Sequence, residues 1–200
     1  VSRNVTNLNA AKETFAAEGY SNVSTFQGDI SSAADIKNVH TYMTETFGHP
    51  NIVINNSGGP SIGTHEEHSD EVWQHAFESH LLSLVRILRC CAPAMKLDSW
   101  GRIINISSTV AIEPSSIMSL SASLRAGQAA LSKSASLTLA ETGITINTIC
   151  PGGVATDRLL SLIEAQACTT GKDFDELLLN AQSSIPMQRF AEPDEIAAFV

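Results

Sequence analysis

Two kinds of hydrophobic pattern alternate along the chain. Short apolar runs rich in β-branched residues are typical of buried strands, whereas apolar residues repeated every three or four positions are typical of amphipathic helices. Strands are predicted over residues 23–26, 51–55, 103–106 and 144–149. Helices are predicted over residues 6–19, 32–47, 70–98, 120–141 and 158–182, with a last one from residue 192. This alternation predicts an α/β fold: a doubly wound parallel sheet, Rossmann-like, in three α/β/α layers.

The longest predicted helix, residues 70–98, contains an inward-facing histidine. Its apolar stripe consists of Trp73, Phe77, His80, Leu84 and Leu88. These residues are three or four positions apart, so His80 is expected to face the interior with its apolar neighbours. Pro93 is expected to bend or divide this helix, because proline lacks the amide hydrogen that the helix needs.

Polar residues and a sharp turn follow two of the predicted strands. Ser107 and Ser108 come directly after the strand 103–106, and Pro151-Gly152-Gly153 follows the strand 144–149. In doubly wound sheets, ligands bind beyond the carboxyl ends of the strands. A functional site is therefore predicted at that edge of the sheet.

Composition and charge restrict the class of protein further. The 200 residues, 43% of them hydrophobic, suit a single domain over residues 1–200. The net charge of −9 argues against a nucleic-acid-binding surface, and no apolar run is long enough to span a membrane. The four cysteines form no CxxC pair, so no metal site is predicted, and reduced thiols suit a cytoplasmic protein.

Four segments together resemble the short-chain dehydrogenase/reductase family, and most closely its 3-oxoacyl-ACP-reductase-like branch. They are Asn55-Asn56-Ser57-Gly58, residues 101–108, Pro151-Gly152 with Thr156, and residues 185–193. The resemblance spans essentially the whole chain. It implies a Rossmann-like oxidoreductase that reduces a carbonyl, with a 3-oxoacyl thioester as one candidate, using a nicotinamide cofactor. It also implies a homodimer or homotetramer formed through the helices 70–98 and 120–141.

The resemblance gives an expectation about both ends of the chain. The family's glycine-rich phosphate loop belongs to a strand and helix that would precede Val1, and its last strand would follow Val200. Neither the loop nor that strand is recognisable in the sequence. The chain is therefore expected to be a fragment of a longer protein.

The cofactor-binding positions carry over from the family by residue. Asp29 and Ile30 match the pair that contacts adenine, and Asn55 and Gly58 match the turn beside the adenosine ribose. The loop that receives the nicotinamide carboxamide matches Pro151, Gly152, Val154 and Thr156. Arg3 stands at the end of the second family strand, where a guanidinium suits a 2′-phosphate. NADP(H) is therefore expected rather than NAD(H).

The catalytic positions depart from the family. Its serine is followed thirteen positions later by a tyrosine and four positions further by a lysine, and counting from Ser108 these positions hold Ser121 and Arg125. The register is fixed by Pro151, which lies thirty positions after Ser121, as the family's turn does after its tyrosine. The family's asparagine on the long helix corresponds to His80. Ser108, Ser121, Arg125 and His80 are therefore the candidate catalytic residues.

The changed residues leave three functions open. In a working reductase, Ser108 would hold the carbonyl oxygen, Arg125 would stabilise negative charge, and His80 or a water chain would supply the proton. Tyr20 and Tyr42 are expected to lie far from the cleft, so neither would replace the tyrosine. The alternatives are a catalytically silent binding or oligomerisation module, and a non-redox dehydratase or isomerase.

Overall fold

A computed structural model describes residues 1–200 as an alternation of helices and strands. The strands are β1 (Ile52–Asn55), β2 (Gly101–Ile106) and β3 (Ile144–Ile149). The helices are α1 (Val5–Ala17), α2 (Ala33–Phe47), α3 (Asp70–Phe77), α4 (Ser83–Leu97), α5 (Ser119–Leu139), α6 (Asp157–Thr170), α7 (Phe174–Ser183) and α8 (Pro193–Ala197). Short turns of 3-10 helix precede and follow α5, at Thr109–Ala111 and Ala140–Thr142.

The three strands form a parallel sheet in the order β1-β2-β3. One face is buried under α4 and α5, where Ile103, Ile144 and Ile146 pack with Met95 and Leu139. This arrangement confirms the Rossmann-like α/β class. The Ile52 and Ile54 side chains of β1 lie on the other face of the sheet and are 57% and 52% exposed.

The strand predicted over residues 23–26 is wrong. The only pairing there is an isolated parallel bridge between Ser2 and Gln27, with hydrogen bonds from the Ser2 amide to Phe26 and from the Gly28 amide to Ser2. The neighbouring extended segment is too short for a ladder, because the Asn4 side chain already caps α1.

The long helix is interrupted at a different place from the one predicted. A π-helical turn, Glu78–Leu82, separates α3 from α4, whereas α4 continues through Pro93. Pro93 is tolerated on the exposed side of the helix. His80 lies in the π-helical turn and is 4% exposed, so its inward orientation is confirmed. Phe77 is 42% exposed, so its assignment to the buried stripe is wrong.

The predicted helix 120–141 corresponds to α5 and the short 3-10 turn after it. Gly143 ends this segment with a φ of 74°, which permits the sharp turn into β3. A Cβ at Gly143 would collide with the Ser99 carbonyl, so the turn also depends on close backbone approach. The result is a βαβ unit that brings the ends of β2 and β3 together.

The predicted helical region 158–182 divides into α6 and α7. Gly171 ends α6 in a left-handed conformation, and Asp173 caps α7 by accepting two backbone hydrogen bonds. Ile163, Leu177 and Phe190 form a small separate core that holds the two helices beside the carboxyl ends of the strands.

Candidate active site

Two adjoining cavities lie at the carboxyl edge of the sheet. The Arg3 cavity, of about 500 Å³, is lined by Arg3, Asp29 and Ile30 among others. The Ser108 cavity, of about 450 Å³, is lined by residues that include Ser108. The segment 56–60 after β1 and Arg158 line both cavities, so the two form a continuous groove.

The Arg3 cavity brings together four of the predicted cofactor residues: Arg3, Asp29, Ile30 and Gly58. The Arg3 guanidinium lies 3.7 Å from the Asp29 carboxylate. A backbone hydrogen bond from Ser31 is the main cause that lowers the pKa of Asp29, and the Ser31 hydroxyl and Arg3 lower it further. A Cβ at Gly58 would meet no atom within 4 Å, so the backbone there opens into the cavity.

Asn55 has a different position from the other residues of this group. It is 8% exposed and lines neither cavity. Its side-chain amide donates a hydrogen bond of 3.0 Å to Asn105, which in turn donates to Ser132 on α5. Asn55 therefore ties β1 to β2 behind the groove, and its contact with a ribose stays a prediction.

The Ser108 cavity contains three of the four candidate catalytic residues. Ser108 lies just beyond β2 in extended backbone, where its hydroxyl accepts a hydrogen bond from the Val110 amide. Ser121 and Arg125 are one turn apart on the inner face of α5 and are 4% and 7% exposed. All three line this cavity, together with the predicted loop residues Pro151, Gly152, Val154 and Thr156.

No phenol approaches either cavity. Tyr20 is 61% exposed and Tyr42 is 37% exposed, and neither belongs to the lining of the groove. The side-chain hydroxyls that line the Ser108 cavity are all aliphatic and belong to Ser57, Ser107, Ser108, Ser121 and Thr156. Such a hydroxyl is a much weaker acid than a tyrosine, whose reference pKa is about 10.

His80 lies in the Arg3 cavity rather than in the Ser108 cavity. Its Nδ1 is 3.1 Å from the Ser57 hydroxyl, and Ser57 lines both cavities. Burial, followed by the charges of Arg125 and Arg158, lowers the pKa of His80 to about 4. The imidazole is therefore uncharged at neutral pH, which makes it a poor proton donor.

Sequence reasoning missed Gln128 and Arg158. Gln128, three positions after Arg125 on α5, donates to the backbone carbonyl of His80 at 3.4 Å, and its helical spacing from Ser121 and Arg125 could have revealed it. Arg158 follows Thr156 and donates from Nη2 to the Pro60 carbonyl at 2.9 Å. No sequence pattern indicates this contact, since it joins residues 98 positions apart.

The sheet, the βαβ unit and the groove at the strand ends define a dinucleotide-binding type of α/β protein. The family model described as short chain dehydrogenase matches residues 1–167. The chain belongs to the short-chain dehydrogenase family, a class of oxidoreductases, as its motifs predicted.

Named relatives agree with this assignment. The chain is 34% identical to a D-beta-hydroxybutyrate dehydrogenase of Cupriavidus necator, over 94% of this chain and 74% of the relative. It is 27% identical to a 3-oxoacyl-acyl-carrier-protein reductase of Vibrio cholerae, over 86% of this chain and 66% of the relative. The crystal structure of L-sorbose reductase from Gluconobacter frateurii with NADPH and L-sorbose superposes with a TM-score of 0.93, at 26% identity, over 99% of this chain and 76% of that one.

None of the helices is both long and apolar enough to cross a membrane. No group of three or more histidine, cysteine, aspartate or glutamate side chains is arranged to hold a metal ion.

Proposed function

We propose that this protein is an NADP(H)-dependent reductase of a carbonyl compound. The observation that carries the proposal is that Ser108, Ser121 and Arg125 line one cavity, which continues into the Arg3 cavity. The relatives support it, since they include a dehydrogenase of a hydroxy acid and a 3-oxoacyl reductase, and the sorbose reductase structure contains NADPH. A 3-oxoacyl thioester is one candidate substrate.

The groove fits a dinucleotide. Arg3 provides a cation for a 2′-phosphate at one end, although its ion pair with Asp29 would compete for it. Gly58 leaves the wall of the groove free of a Cβ that would obstruct a ribose. Pro151, Gly152, Val154 and Thr156 would hold the carboxamide at the other end. When bound, the cofactor supplies a hydride for the carbonyl carbon of the substrate.

The chain's own residues would polarise the carbonyl. Ser108 donates a hydrogen bond to the carbonyl oxygen, and the Arg125 guanidinium stabilises the negative charge that develops on it. The proton comes from water through the hydroxyls of Ser108 and Ser121, since His80 is uncharged at neutral pH. His80 instead positions Ser57 between the two cavities.

The test is to follow NADPH oxidation with a panel of ketones and 3-oxoacyl thioesters, beside direct measurement of NADPH binding. Turnover supports the proposal. A folded protein that binds NADPH and reduces none of these substrates contradicts the proposal and favours a catalytically silent module. The observation in favour of that alternative is the lack of a phenol and an ammonium at the candidate catalytic positions. Substrate consumed without oxidation of NADPH would favour a dehydratase or isomerase.

The double variant Ser121→Tyr/Arg125→Lys separates a working site from a disabled one. If Arg125 already supplies the electrostatic stabilisation, restoring the family's residues does not raise kcat. A large gain in activity would instead show that the natural site is a disabled reductase. Ser123→Tyr is the matched control, because it places a phenol on the exposed face of the same helix.

We further propose a homodimer or homotetramer in the cytoplasm. Large apolar side chains are exposed on the two helices that the family resemblance implicates, with Leu97 88% and Leu137 68% exposed. The four cysteines are free thiols, which suits a reducing compartment. Sedimentation analysis of wild type and Leu137→Glu tests the assembly: the variant is expected to dissociate, and a wild-type monomer would contradict it.

A further inference from the structure

The Ser108 cavity is cationic although the chain is acidic. The chain has 21 aspartates and glutamates against 12 lysines and arginines. Even so, this cavity is lined by two arginines, Arg125 and Arg158, and by no carboxylate. The Arg3 cavity differs, because its Asp29 partly neutralises Arg3.

Arg125 carries a charge that the protein does not neutralise. It is 7% exposed, takes part in no ion pair, and makes one hydrogen bond, from Nη1 to the Ile106 carbonyl at 3.0 Å. Burial, followed by the charge of Arg158, lowers its pKa, and the group that acts in the opposite direction is the Cys150 thiol rather than a carboxylate. A guanidinium has five N–H donors, so most of its donor capacity remains for a ligand.

Arg158 is the second unneutralised cation. It stands in the first turn of α6, and its single hydrogen bond goes to the Pro60 carbonyl. Its guanidinium lies against Gly59, where a Cβ would come within 3.1 Å of Nη2. Arg158 thus closes the groove from the side of α6 and reaches both cavities without a carboxylate partner.

We propose that the Ser108 cavity binds an anionic carbonyl compound, a short oxo acid, with its carboxylate on Arg158 and its carbonyl oxygen at Ser108 and Arg125. This inference rests on the proposed reductase function and names its substrate class. The buried guanidinium of Arg125 and the exposed one of Arg158 repel each other, and a carboxylate on Arg158 would offset this repulsion while accepting two hydrogen bonds from that residue. An uncharged ketone would leave the buried charge of Arg125 without an anion nearby.

The competing assignment for Arg158 is a phosphate of the cofactor, since this residue also reaches the Arg3 cavity. The two sources of negative charge are separable by experiment. Acetoacetate and its methyl ester have the same ketone and differ in the carboxylate. Their binding is measured by calorimetry, and their turnover with NADPH separately, for wild type, Arg158→Gln, Arg158→Lys and Lys172→Gln. Lys172→Gln is the control, because it removes an exposed charge between α6 and α7 that lines neither cavity.

We expect wild type to bind acetoacetate at least tenfold more tightly than the ester. Arg158→Gln should remove that preference, Arg158→Lys should keep part of it, and Lys172→Gln should not change it. Equal binding of acid and ester, or no binding of the acid, would overturn the inference. So would a loss of NADPH binding in Arg158→Gln with acid binding intact. Acid binding without turnover would support the anion site and contradict the reductase proposal. Turnover of both compounds without preference would support the reductase proposal and contradict the anion site.

Discussion

The two cavities of the groove differ in how closely they follow the family. Around the Arg3 cavity, the residue types expected for a cofactor stand at their expected positions, and Arg3, Asp29, Ile30 and Gly58 all line it. Ser108, Ser121 and Arg125 line the Ser108 cavity, and the predicted register aligns Ser121 and Arg125 with the family's tyrosine and lysine. The departure from the family's residue types is therefore predicted on the Ser108 side of the groove, whereas four expected cofactor residues line the Arg3 side.

The difference shows what each task demands of a side chain. Binding a dinucleotide depends on backbone shape and on charges at roughly correct positions, which many side chains satisfy. Proton transfer depends on acidity, so an aliphatic hydroxyl can relay a proton from water, whereas a phenol can donate its own. Arg125 keeps the positive charge of the replaced lysine but changes its geometry from a point charge to a planar fork.

The largest effect is expected at Arg125. Arg125→Met keeps an unbranched side chain of similar length and removes the only deeply buried cation of the Ser108 cavity. Loss of one preorganised group that stabilises charge costs about 10²- to 10³-fold in kcat. Steady-state kinetics should show this loss while calorimetry shows little change in NADPH affinity. If NADPH affinity falls as far as kcat, the two cavities are not functionally distinct.

His80 predicts a specific dependence of stability on pH. Its pKa in the folded state is lowered from 6.5 to about 4, so the folded state binds fewer protons than the unfolded state. The stabilisation is complete above pH 6.5 and is lost as pH falls towards 4. Since one pKa unit corresponds to about 1.4 kcal/mol, wild type should lose roughly 2 to 3 kcal/mol relative to His80→Asn between pH 7.5 and 4.5.

Urea unfolding of both proteins at the two pH values measures this difference. His49→Asn is the control, because His49 is exposed and should show no comparable change. An identical pH dependence in wild type and His80→Asn would mean that His80 is not held uncharged at the boundary between the cavities.

Arg3 should determine the choice of cofactor. Arg3→Gln is expected to weaken NADPH binding about tenfold and to leave NADH binding unchanged, because only the former has a 2′-phosphate. The guanidinium side chain is 73% exposed, so the effect should shrink as salt is added. Lys12→Gln, on the exposed surface of α1, is the matched control. Equal loss for both cofactors would contradict the assignment of Arg3.

The smallest effect is expected at Gly58. Gly58→Ala places a methyl group in open space, so the thermal unfolding temperature should stay close to that of wild type. The same methyl group would project into the groove, and NADPH affinity should fall a few-fold. A variant that binds NADPH as wild type does would show that the cofactor does not pass along this part of the wall.

Local patterns predicted the strands and helices of the βαβ unit well, because they depend on periodicity and on terminal residues. The helix predicted over 32–47 corresponds to α2, which Ser32 caps and Gly48 ends. Ser121 and Arg125, selected by their sequence distance from Ser108 and Pro151, line the same cavity as those two residues. The prediction of a strand over 23–26 was wrong because a strand exists only where a neighbouring segment pairs with it. The interruption of the long helix at Glu78–Leu82 was not predicted, because no residue type marks a π-helical turn.

The sequence alone determined the α/β class, the family and the residues at the candidate catalytic positions, since these follow from residue type and from separation along the chain. Only the tertiary structure decided that His80 faces the Arg3 cavity as an uncharged imidazole, that Asn55 ties two strands together, and that Arg158 reaches Pro60. The reason is physical: burial, electrostatic shifts and contacts between distant segments depend on which elements pack together in three dimensions.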